Sequence, residues 1–126
     1  VLLIGHCGPD SSYLKMAVKK AVSDADILSA DDSTELARML ENHQIDLMLF
    51  NRELGYGFDS DQGVEAIRAL RAGQPGVKMM LVSNYPEAQQ AAVAAGALAG
   101  FGKREIGTPR VTEILRRAMG TDSQGG

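Results

Sequence analysis

Apolar and polar positions divide the chain into short apolar runs separated by longer amphipathic stretches. Residues 1–4 are all apolar and end at Gly5-His6-Cys7-Gly8-Pro9, the pattern of a strand buried on both faces and closed by a turn. Asp10 or Ser11 then caps a predicted helix to about Ser23, with Leu14, Ala17, Val18, Ala21 and Val22 at helical spacing. Lys15, Lys19 and Lys20 fall elsewhere on that wheel. A short strand is expected over residues 26–30. Asp32 with Glu35 three residues on has the form of a capping box, opening a helix with Leu36, Met39 and Leu40 inward.

Residues 45–50 form a second apolar run, interrupted only by Asp46, and a polar, Gly-rich stretch follows from 51 to 62. Val64, Ile67 and Leu70 mark the next helix; Pro75-Gly76 ends it, and residues 77–82 read as another buried strand. Residues 86–95 are Ala-rich and helix-prone, with Gly96 as the stop, and residues 98–102 read as a strand of small side chains. Thr108-Pro109 is an N-cap followed by Pro at the first helical position. Val111, Ile114, Leu115 and Ala118 then supply the apolar stripe. Residues 1–119 are expected to form the domain, and 120–126 a tail or the start of a linker.

Five strands alternating with five helices predict an α/β fold, a five-stranded parallel sheet with helices on both faces. Ligands and chemistry in such sheets gather outside the carboxyl ends of the strands. That directs attention to residues 5–7, 51–53, 83–84 and 103.

Composition narrows the function classes. The chain has 126 residues, 44% hydrophobic and 23% charged, enough for one domain and one core. A net charge of −3 with no basic block argues against a nucleic-acid surface. The lone Cys7 excludes an internal disulfide and a Cys-rich metal framework. No apolar run approaches the ~20 residues that cross a bilayer, and no signal-peptide pattern is present, so a cytoplasmic domain without membrane contact is expected.

The strand ends carry a resemblance. Over residues 1–119 the sequence resembles the receiver domain of two-component response regulators, the CheY-like fold. Asp46-Leu47-Met48-Leu49-Phe50-Asn51 is similar to the third strand, which ends in that family's phospho-accepting aspartate. Val82-Ser83-Asn84 is similar to the fourth strand with its Ser/Thr, and Gly96-Ala97 with Lys103 to the Gly-Ala turn and the lysine after the fifth strand. The resemblance places Asn51 at the phospho-acceptor position and Gly5 and His6 at the acidic pair, while Ser83 and Lys103 are retained. Phosphoryl transfer to a carboxylate needs an anionic oxygen and a divalent cation held by hard oxygen ligands. An amide, a glycine and an imidazole supply none of these. The resemblance therefore implies a receiver without the family's Mg²⁺ site or phosphorylation: a signalling module, not an enzyme and without cofactor. Its fourth helix, fifth strand and fifth helix would face a protein partner or a second copy.

Two further departures concern switching. Gly100 stands where the family has a mobile aromatic, with Phe101 one residue later, and Arg104 replaces the proline after Lys103. Residues 55–62 are about four longer than the usual loop and carry Tyr56 and Phe58, expected either to anchor a partner or to plug the phosphate pocket.

Plainer readings accompany these. His6 and Cys7 are adjacent on an extended segment and point to opposite faces, so they make a poor ligand pair; Cys7 reads as buried packing and His6 as a hydrogen-bonding partner of Asn51 or of the Asp10 region. Gly5-x-x-Gly8-x-x-Ser11-Ser12 opens a helix, but lacks the Lys and spacing of a phosphate loop. Glu53, Asp10, Asp59 and Asp61 read as solvated loop acids or as a displaced cation site. Lys103 is expected to hydrogen-bond Asn51 or strand-end carbonyls, and the six methionines, Met16 among them, to fill the core. Alternatives to the leading reading are a receiver that answers an anion or phosphoryl group at a non-standard residue, and a small flavodoxin-like nucleotide or flavin binder.

Overall fold

The computed structural model describes residues 1–55, 57–73 and 76–120. Tyr56 and the expected tail beyond Gly120 lie outside the described residues. The elements run β1 (Leu2–Ile4), α1 (Gly8–Ala21), β2 (Leu28–Ala30), α2 (Ser33–Asn42), β3 (Leu47–Asn51), α3 (Gly63–Gly73), β4 (Lys78–Val82), α4 (Pro86–Ala94), β5 (Leu98–Phe101) and α5 (Pro109–Ala118). A 3₁₀ turn over Lys103–Glu105 links β5 to α5.

The five strands form one parallel sheet in the order β2-β1-β3-β4-β5. Their side chains alternate between two cores, as a pleat requires. Leu3, Leu47, Leu49, Met80, Val82 and Phe101 pack with α1 and α5 on one face. Leu2, Ile4, Met48, Phe50, Met79 and Leu81 pack with α2, α3 and α4 on the other. Two-sided burial explains why these strands read as unbroken apolar runs rather than as alternating ones.

Several boundaries differ from expectation, each for a local reason. Helix α1 starts at Gly8 with Cys7 as its N-cap, three to four residues before the expected cap, because Pro9 already suits the first turn. Cys7 is exposed, not buried, since it sits at the helix mouth beyond the sheet. Strand β2 is only Leu28–Ala30, because pairing with β1 begins at Leu28. Met16 is 68% exposed, on the face of α1 opposite Leu14, Ala17 and Val18. The Asp32 cap forms, its carboxylate accepting from the Glu35 amide at 2.7 Å, but the reciprocal half of the box shifts by one residue, the Glu35 carboxylate accepting from the amide of Asp31 rather than of Asp32.

Strand order reverses between β1 and β3, so the crevice of the fold opens where Gly5 and Asn51 leave the sheet.

Candidate functional site

Asn51 ends β3, and its side-chain amide donates to two backbone carbonyls, Gly5 O at 3.1 Å and Glu53 O at 2.8 Å. The reverse orientation would set Oδ1 against two carbonyl oxygens, so the neighbours determine which way the amide points. The NH₂ group thus stands between oxygens that would otherwise need a cation or water.

Gly5 has a backbone reason to be glycine. Its φ is +73°, and a Cβ there would sit 2.7 Å from Leu54 Cδ2, so a carboxylate-bearing residue is opposed by both conformation and space. His6 places Nε2 2.8 Å from Leu49 O. A carbonyl only accepts, so Nε2 carries the hydrogen and Nδ1 is left as a bare acceptor; that nitrogen is buried without a hydrogen-bond partner. Burial lowers the His6 pKa below the ordinary value; its hydrogen bond to Leu49 opposes the shift, and the nearby Lys103 charge adds to it. The expected contacts of His6 with Asn51 or the Asp10 region are thus replaced by a bond to the β3 backbone.

Lys103 differs as well. Its ammonium lies 2.9 Å from the Asp10 carboxylate in the first turn of α1, rather than on Asn51 or strand-end carbonyls. That hydrogen bond is the main reason the Asp10 carboxyl is held below its usual range, and the positive end of the helix favours the same ionised form. The four acids considered together in the sequence separate in space. Asp10 pairs with Lys103 and Glu53 with Arg52 (2.9 Å), while Asp59 and Asp61 belong to the loop beside α2 and α3. Among the described residues, no group of three or more His, Cys, Asp or Glu side chains is arranged to hold a metal ion.

Ser83 is buried, and its hydroxyl accepts from the Tyr85 amide at 3.1 Å while its own amide donates to Phe101 O at 3.0 Å. It fastens the end of β4 to both β5 and the start of α4. Asn84 Oδ1 accepts from the Arg104 amide at 3.0 Å. The Arg52 guanidinium lies 4.6 Å from the Tyr85 ring centroid, a cation–π contact at the mouth. Asn51, Arg52, Ser83, Asn84, Tyr85 and Lys103 are among the residues enclosing an open pocket of about 280 Å³. Phe58 is not among them: it packs half-buried on the α2/α3 side, so the plug over this pocket is not formed by Phe58.

One participant had no signal in the sequence. Gln89, in the Ala-rich α4, sets Nε2 within 2.9 Å of Leu81 O, 3.1 Å of Ser83 O and 3.2 Å of Phe101 O. Its Oε1 accepts from the Gly100 amide at 3.2 Å. The β4–β5 register shifts between Met80 and Val82, which face Leu98 and Phe101, so β5 carries one extra residue there. Gln89 fills the break in the ladder. At Gly100 a Cβ would meet Leu81 O at 2.2 Å, so the position expected for a mobile aromatic has no room for any side chain. Phe101 instead points into the α1/α5 core, 1% exposed.

The divalent cation of the resembled family does not fit this site. Gly5, His6 and Asn51 offer no carboxylate, and the Asn51 donors already occupy the two carbonyls.

No protein-family model matches the chain, and no curated protein matches its sequence. Solved structures do. The receiver domain of NtrX from Brucella abortus is similar with a TM-score of 0.66 and 20% identity, over 96% of this chain and 98% of that one. A response regulator from Thermotoga maritima gives 0.72 and 20%, over 94% and 95%. The signal receiver domain of the response regulator merR from Colwellia psychrerythraea gives 0.72 and 16%, over 92% and 94%. Together with the strand order and the placement of Asn51, Ser83 and Lys103 at the strand ends, these likenesses show that the chain has the CheY-like fold of response regulator receiver domains.

Proposed function

We propose that this protein is a receiver-type signalling module that works by binding another protein and does not depend on phosphorylation of Asn51. The observation that carries the reading is the Asn51 amide bridging the carbonyls of Gly5 and Glu53. A neutral donor held there supplies the contacts a cation would supply, and leaves no nucleophilic oxygen anion at the end of β3. Lys103 is neutralised by Asp10 and Arg52 by Glu53, so the pocket is organised without an incoming charge. The partner surface is the side formed by α4, β5 and α5, where Tyr85, Val93 and Leu98 are exposed apolar side chains.

The test is exposure of the protein to acetyl phosphate, or to beryllofluoride, with Mg²⁺, followed by intact mass and amide NMR. We expect no stable mass increase and no shifts beyond the pocket. Asn51→Asp is expected to stay unresponsive too, because Gly5 and His6 still withhold the other carboxylates. A stable adduct on the wild-type chain, or shifts spreading to α4 and β5, overturns the reading. The pairing of both pocket cations also weighs against a site answering a free anion. Inorganic phosphate titrated to millimolar concentration is expected to leave the Ser83 and Lys103 amides unmoved.

A further inference from the structure

We propose that the groove between α2 and α3 receives helix α1 of a second copy of this chain, giving head-to-tail association. The groove measures about 260 Å³, and Leu36 and Leu40 of α2, Ala66 and Leu70 of α3 and Phe58 of the intervening loop line it. Among the described residues its charged lining groups are Asp59 and Glu65, both acidic. Asp61 lies in the adjoining hollow, together with Asp59 and Phe58. Glu65 is engaged by Arg68, but neither Asp59 nor Asp61 forms an ion pair among the described residues. The loop wall is fixed before anything docks. Gly57 O accepts from the Ser33 amide at 2.8 Å, the Asp59 amide donates to Ser33 Oγ at 2.7 Å, and the Leu54 amide donates to Asp61 O at 2.9 Å.

The matching surface lies on the same molecule. Tyr13 and Met16 of α1 are the most exposed large apolar side chains described, at 60% and 68%. They stand three residues apart, and Lys20 follows four after Met16, so all three share one helix face. Lys15 flanks them. The only acid of α1, Asp10, is engaged by Lys103. An apolar pair on a basic helix therefore faces outward on one side of the sheet, and an apolar groove with an acidic rim opens on the other. The other exposed large apolar residues described, Tyr85, Val93 and Leu98, lack this complement: the one charged residue of α4 is Glu87, of the same sign as the groove, and on α5 Arg110 pairs with Glu105, Arg117 with Glu113, and Arg116 donates to Ala21 O.

Helix α1 packs on the face of the sheet opposite α2 and α3, so no copy satisfies its own groove. The contact is heterologous, and it builds open chains or closed rings rather than a two-fold dimer. It involves no residue of the Asn51 pocket, so its failure and the failure of the proposed function are separately visible.

Sedimentation of the 126-residue chain from about 10 µM to 1 mM tests the proposal, the range expected of a small, partly charged contact. We expect the mean mass to rise with concentration past that of a dimer, and to fall back as salt is raised. Met16→Glu removes the inserting side, and Ala69→Lys, at an exposed groove position, removes the receiving side. Each is expected to be monomeric, with circular dichroism confirming that it folds. Mixed in equal amounts, the two variants are expected to form a dimer and stop there, because one copy keeps its groove and the other its α1. Leu98→Glu is expected to leave the wild-type association intact. A chain monomeric to 1 mM, a mixture that stays monomeric, or association abolished by Leu98→Glu overturns the proposal, the last by assigning the contact to the β5 side.

Discussion

Asn51 and His6 show how single residues settle what a strand end can do. Both present hydrogen-bond donors to backbone oxygens where the resembled family has carboxylates. Asn51→Ala leaves Gly5 O and Glu53 O without those donors and is expected to cost about 1–2 kcal/mol by urea denaturation. His6 gives a pH dependence of definite sign. Its pKa is lowered in the folded state, so the unfolded chain binds the extra proton between that lowered value and about 6.5. Stability is expected to be complete above about pH 6.5 and to fall as pH drops below it, by at most about 1.4 kcal/mol per pH unit. His6→Gln, which keeps a donor for Leu49 O but does not titrate, is expected to flatten that slope in melting curves at pH 5 to 7. Asp10 contributes with the same sign at lower pH. Its lowered pKa adds stability above the usual carboxylate values, and that contribution disappears only as pH falls through the lowered pKa. The loss from His6 sets in near pH 6.5 and that from Asp10 only below the usual carboxylate values.

Among the elements, the β4–β5 seam and α4 are bound together by a single side chain. A ladder broken by an extra residue leaves buried carbonyls and an amide, and Gln89 satisfies them from α4. The seam and the helix are thereby tied into one unit, with Phe101 locked in the core behind it. Gln89→Ala is expected to destabilise by about 2–4 kcal/mol, since it orphans the Gly100 amide and at least one carbonyl. Amide exchange of β5 should accelerate in that variant, while exposed Gln90→Ala stays within about 0.5 kcal/mol of wild type. Equal stability of the two variants would show that water or backbone movement replaces the Gln89 contacts. Nothing in the sequence distinguishes Gln89 from Gln90, since both are amides in an Ala-rich helix. Their difference arises only when α4 lies across the sheet and turns one of them toward the gap.

For the whole molecule, the sheet separates two cores that share the three central strands β1, β3 and β4. Loss of packing on one face is therefore felt on the other. Leu115→Ala, at a fully buried α5 position, is expected to cost about 2–5 kcal/mol and to lower a single unfolding transition seen alike by circular dichroism and by tyrosine fluorescence. Two separated transitions would mean that the faces unfold independently. The overall arrangement also puts α1 and the α2/α3 groove on opposite sides, the condition for head-to-tail association rather than a symmetric pair.

The sequence by itself determined the fold and the strand ends that lack a carboxylate. Unbroken apolar runs at strand length, alternating with helical stripes, admit few arrangements other than a parallel sheet covered on both sides. A carboxylate absent from a strand end is equally legible in one dimension. Tertiary structure decided what stands in its place. The Lys103–Asp10 pair joins residues 93 positions apart, and the His6 and Asn51 contacts reach across β1 and β3. Phe58 chose the α2/α3 side because Ser33 holds its loop there. Apolar burial repeats along the chain and can be read from its period. A hydrogen bond depends on which two strand ends the fold brings within about 3 Å, and no local pattern encodes that.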